Sequence, residues 1–136
     1  VNDLPVIEFP LTISEAQGGA FRPAVAYSAG LDQYLAVWED RRSAAGETYL
    51  FDVYGQRLDG DLTADGTNFA LATGNNYVNS DTSATWTPRP TITSNDNTFL
   101  ATWFEHESAE NANLWRVQGQ LVAASSALQS KFGSDT

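Results

Sequence analysis

The chain has no cysteine, no methionine, a single histidine (His106) and a single lysine (Lys131). Each shortage closes off a chemistry. Without cysteine there are no disulfides, no thiolate metal sites and no Cys–His nucleophile. His106 would have to be the base of any Ser-His-Asp triad, and no Gly-x-Ser-x-Gly elbow accompanies it. A zinc site built on Glu105, His106 and Glu107 conflicts with strand alternation, because His106 would point away from the face that Glu105 and Glu107 share. Bases are scarce as a class: seven against seventeen acids, a net charge of −10. Nucleic acid needs a basic stripe to displace counterions, and an anionic membrane surface needs much the same. Neither partner fits this chain. No apolar run approaches the roughly 18 residues of a membrane span. Position 1 is Val rather than Met. Either an initiator was removed, or the chain is a mature or excised fragment whose leader has gone.

What is present fits a folded globule. The 136 residues are 42% hydrophobic and 12% aromatic. A single domain spanning 1–136 of this size buries roughly two thirds of its unfolded surface, so it needs no staples. Its acidity suits cations, neutral sugars or basic partners.

The chain is an internal repeat. Arg22-Pro23-Ala24-Val25-Ala26 returns as Arg89-Pro90-Thr91-Ile92-Thr93, and Tyr34-Leu35-Ala36-Val37-Trp38 as Phe99-Leu100-Ala101-Thr102-Trp103. Leu50 to Gln56 returns as Leu114 to Gln120, and Phe69 as Phe132. The offset drifts from 67 (Arg22 to Arg89) through 65 (Tyr34 to Phe99) and 64 (Leu50 to Leu114) to 63 (Phe69 to Phe132), the mark of small loop insertions and deletions. The units span approximately 14–73 and 74–136. Phe9-Pro10-Leu11-Thr12-Ile13 also resembles Phe69-Ala70-Leu71-Ala72-Thr73. An N-terminal strand over 7–13 is therefore expected to supply the last strand that the second unit lacks.

The matched blocks are short and rich in Val, Leu, Tyr, Phe, Trp and Thr, and Gly, Asp, Asn and Ser divide them, which predicts strands. Leu35 and Val37 fall on one face, Tyr34, Ala36 and Trp38 on the other, so both faces are apolar and both should be covered. Gly55 and Gly119, each inside a strand, mark a bulge or close backbone approach. The expected fold is all-β, two four-stranded antiparallel blades of β-propeller type.

Pro23 to Tyr27, Tyr34-Leu35-Ala36-Val37-Trp38-Glu39-Asp40, Asp52 to Asp59 and Phe69 together resemble a repeat of bacterial, extracellular β-propeller-like proteins. The resemblance covers nearly the whole chain, strongly in the first unit and loosely in the second. There Arg116 stands for the Asp, Gln118 for the Tyr, and Phe104-Glu105 for the Glu-Asp pair. It implies a fold and an extracellular or periplasmic setting, not a reaction. Two blades cannot close a ring of the usual four to eight. Three architectures stay open: a homo-oligomer closing a ring head to tail, such as three chains giving six blades; a compact two-sheet monomer; and a piece of a longer propeller.

Trp86 and Tyr77 lie in a polar insertion with no counterpart in the first unit, and inserted loops carry function. They are candidate ligand contacts. Glu39-Asp40 and Glu105, with Glu107 beyond it, are carboxylates at strand ends that could order hydroxyls or work as acid and base. Against this, Arg41 and Arg42 beside Glu39 and Asp40 fit an ion-pair cluster. Trp38 and Trp103 are either sugar platforms or core, and their equivalent strand positions favour core. Asp59 to Gly66 is acid-rich, but its third acid falls late for a calcium loop. No cofactor is expected, calcium at Asp59 to Gly66 being the one alternative kept open. The function most consistent with these residues is a non-enzymatic binding module for carbohydrate or a surface partner. The alternatives are a carbohydrate-active enzyme using paired carboxylates and a structural unit of a larger propeller.

Overall fold

A computed structural model describes residues 10–43, 51–73, 87–106, 115–123 and 129–132. These residues are all-β, in two antiparallel sheets. The first contains β1 (Ala20–Ser28), β2 (Gln33–Asp40), β3 (Asp52–Asp59) and β4 (Ala64–Ala72). The second contains β5 (Thr91–Ser94), β6 (Thr98–His106), β7 (Trp115–Ala123) and β8 (Gln129–Phe132). Each sheet is a simple meander in chain order.

Turn chemistry sets the hairpins. In the β5–β6 turn, Asn95 Oδ1 accepts from the amides of Asn97 and Thr98 and from Thr98 Oγ1, an Asx turn. The β3–β4 turn closes with Leu62 N donating to Asp59 O and Asp59 N to Thr63 O. Leu62 has φ of 68° there.

The two sheets share one register. Val37 stands opposite Gly55 and Gly55 opposite Phe69; Thr102 stands opposite Gly119 and Gly119 opposite Phe132. The close approach expected at Gly55 is real. A Cβ there would lie 3.2 Å from both the Ala36 carbonyl and the Phe69 ring.

One expectation is corrected. The fourth strand of the second sheet is Gln129–Phe132, the chain's own C-terminal segment, rather than the N-terminal strand 7–13. Residues 7–9 lie outside the described residues, and 10–13 form no ladder. The Ile13 carbonyl instead accepts from Asn68 Nδ2 on β4, in the first sheet. Pro10 offers no amide donor for a ladder, and Phe132 already occupies the position opposite Gly119.

Alternation gives each sheet a tryptophan face and a leucine face. In the first sheet Tyr34, Ala36 and Trp38 lie on one, and Leu35, Val37 and Glu39 on the other. In the second, Phe99, Ala101 and Trp103 correspond to the former, and Leu100, Thr102 and Phe104 to the latter. The core joins unlike faces. Leu35, Val37 and Val53 of the first sheet's leucine face form one buried cluster with Phe99, Trp103 and Val122 of the second sheet's tryptophan face. Full burial of each such side chain is worth about 1.5–3 kcal/mol relative to exposure. The second sheet therefore stacks on the first as a repeat on its predecessor, front to back. A two-fold sandwich would have set Leu35 facing its counterpart Leu100.

Candidate functional site

The best-defined polar cluster lies at the Asp40 end of β2, and alternation splits it in two. Glu39 is fully buried on the leucine face, toward the second sheet. Its Oε2 accepts from Arg22 Nη1 at 2.7 Å, and its Oε1 accepts from the backbone N–H of Arg89 at 2.7 Å. Arg22 Nη1 also donates to Thr87 Oγ1 at 2.9 Å. One carboxylate thus ties β2 to the entry of β1 and to the segment leading into the second sheet. Arg22 and Arg89, the two repeat-equivalent residues before proline, share positive φ values of 48° and 46°. Non-glycine residues rarely adopt this conformation. In the first sheet the β1–β2 register shifts between Phe21 and Ala24, around that residue.

Asp40 is fully buried on the tryptophan face. Its Oδ2 accepts from Trp38 Nε1 and Arg42 Nη2, each at 2.8 Å. Its Oδ1 accepts from Arg42 Nε at 2.8 Å and Arg42 N at 2.9 Å. The Arg42 guanidinium lies 3.9 Å over the Tyr54 ring and donates to Asn68 Oδ1. Burial pushes the Asp40 carboxyl up. The hydrogen bonds from Arg42 and Trp38, with the Arg42 charge, outweigh it and hold the group below the usual carboxylate value. Outside this pair an open depression of about 420 Å³ is lined by Glu15, Ala16, Gln17, Arg42 and Asn68.

The sequence-predicted residues therefore do not converge. Glu39 and Asp40 point to opposite faces of one strand, each held by arginine. Glu105 is buried on the second sheet's tryptophan face, opposite Arg116 in register. Trp86, Tyr77 and Glu107 lie outside the described residues. Trp38 and Trp103 are both buried. The acids of the β3–β4 turn are occupied: Asp61 Oδ1 accepts from Thr63 N and Oγ1, while Asp59 and Asp65 accept from Gln33 Nε2. Among the described residues no three His, Asp or Glu side chains group to hold a metal.

Sequence reasoning missed Arg22, Arg89 and Asn68. The Arg-Pro pair repeated in both units was the available signal for the first two, read only as a strand marker. Asn68 gave no signal, since its bonds to Gln56 Oε1 and Ile13 O join parts of the chain far apart. Comparison with family models, curated proteins and solved structures finds no match.

Proposed function

We propose that the chain is a non-enzymatic binding module of β-propeller type, its two sheets acting as consecutive blades, with a carbohydrate or a polar surface partner as ligand. The observation that carries this is the front-to-back stacking of equivalent sheets, which is how blades follow one another around an axis. The depression beside Arg42 supports a hydroxyl-rich ligand. Glu15, Gln17 and Arg42 offer carboxylate, amide and guanidinium edges in one open place, and such groups bond neutral hydroxyls without needing ligand charge. Glycosidase chemistry asks for two carboxylates across one cleft; Glu39 and Asp40 diverge instead. Resemblance of the Tyr34–Asp40 and Asp52–Asp59 blocks to exported repeats supports an extracellular or periplasmic setting.

A glycan array followed by titration of tryptophan fluorescence tests the reading. Binding is expected, and Glu15→Gln with Gln17→Ala, both at exposed positions, is expected to weaken it at least tenfold while the fold persists. Absence of binding to any glycan, or binding indifferent to both changes, refutes the carbohydrate assignment.

A further inference from the structure

The interface inside the chain uses one leucine face and one tryptophan face, and part of each remaining face is exposed: on the first sheet's tryptophan face Ala36, Trp38 and Leu58 are buried and the Val25–Tyr27 corner is open. On the second sheet's leucine face Val117 is 68% exposed and Phe104 is 42% exposed. Their counterparts in the first sheet, Val53 and Glu39, are both fully buried against the second sheet. On the first sheet's tryptophan face Val25 is 62% exposed and Tyr27 is 43% exposed, with Tyr27 packed on Tyr34 at 4.6 Å between ring centroids. Their counterparts are Ile92, packed on the shared cluster, Ser94, whose hydroxyl donates to the Tyr27 carbonyl, and Phe99, fully buried. Every exposed apolar side chain named here occupies a position that its repeat partner uses for sheet-to-sheet contact.

We infer that the leucine face of the second sheet, around Phe104 and Val117, docks the tryptophan face of the first sheet, around Val25 and Tyr27, of a second copy of this chain. The occupant follows from the stacking rule on display within one chain. The first sheet's leucine face accepts a tryptophan face, and the second sheet's leucine face is its sequence-equivalent surface. Charge points the same way. At the docking face Phe104 and Leu121 replace Glu39 and Arg57, so this surface carries no buried charge to match and wants an apolar partner, which Val25, Tyr27 and Tyr34 provide. The contact is heterologous, so it repeats from copy to copy until a ring closes. It rests on the blade reading for its stacking rule, and glycan binding is measured separately on the same samples, so failure of the two can be told apart.

Light scattering on the full chain after size exclusion tests it. The wild-type chain is expected to run as a discrete oligomer. Val25→Asp disables one face and Val117→Asp the other, so each variant alone is expected to be monomeric. An equimolar mixture is expected to give a one-to-one dimer, through the intact second sheet of the Val25→Asp chain and the intact first sheet of the Val117→Asp chain. Thr67→Asp, a change at an exposed position of β4, serves as the control and is expected to keep the oligomer. Far-UV circular dichroism confirms that all three stay folded. A monomeric wild type, an oligomer that survives either face change, or a mixture that stays monomeric overturns the docking. A monomer that still binds glycans does so while leaving the binding reading intact.

Discussion

Adjacent acids can do unrelated work, and Glu39 with Asp40 shows why. Strand alternation sends them to opposite faces, and different partners hold each. Glu39→Ala would leave the Arg89 amide without its acceptor and Arg22 with only Thr87. Hydrogen bonds to charged groups are worth about 1.5–3 kcal/mol, and Arg22 is half exposed, so water can take over part of its share. The expected loss is about 2–3 kcal/mol, read from the urea midpoint at unchanged slope. Asp40 sets an acid limit instead. Its folded value lies below the ordinary carboxylate value near 4, so the unfolded chain binds the proton more tightly. Its contribution is complete above that ordinary value and disappears as pH falls through the lower folded one. Asp40→Asn is therefore expected to lower stability at neutral pH and to flatten the stability curve below about pH 4, as urea melts across a pH series will show.

At the level of elements, the strands and their pairing were legible because each block occurs twice. The match of Phe69 to Phe132, made from sequence, is the match the ladder makes, opposite Gly55 and Gly119. The same reasoning failed at the N-terminus, where likeness between Phe9–Ile13 and Phe69–Thr73 outweighed the missing donor at Pro10. Turns carry a further constraint that composition hides. A Cβ on Gly30 would run into the Asp96 carbonyl, a backbone atom of the β5–β6 turn. A Cβ on Gly60 would first meet the exposed Asp32 carboxylate, a side chain that can swing away. Both glycines stand in turn-forming dipeptides, Ala29-Gly30 and Asp59-Gly60, and composition does not tell them apart. Gly30→Ala is expected to cost about 1–3 kcal/mol by forcing the two turns apart, while Gly60→Ala stays within about 0.5 kcal/mol. Equal midpoints for the two variants in thermal melts would contradict this contact.

For the molecule as a whole, the decisive feature was the one the sequence left open. With apolar residues on both faces of β2 and β6, periodicity shows that both faces want cover but not which face meets which. The long-range cluster of Leu35, Val37 and Val53 with Phe99, Trp103 and Val122 settles it, and Arg57 Nη2 adds a polar tie by donating to the Ala123 carbonyl at 3.0 Å. The candidate site was less legible still, since its groups come from 15–17, 42 and 68. The buried cluster is common to both sheets, so each sheet draws on the other for cover. Val53 lies in the first sheet, yet its side chain belongs to that common cluster. Val53→Ala removes two methyl groups' worth of burial, about 2 kcal/mol with the cavity included. If the sheets fold as one cooperative unit, native-state hydrogen exchange will show the slowest amides of β2 and β3 and those of β6 and β7 losing the same protection in this variant. Loss confined to β2 and β3 would mean that each sheet is stable by itself, and that the contact between unlike faces adds little to the fold.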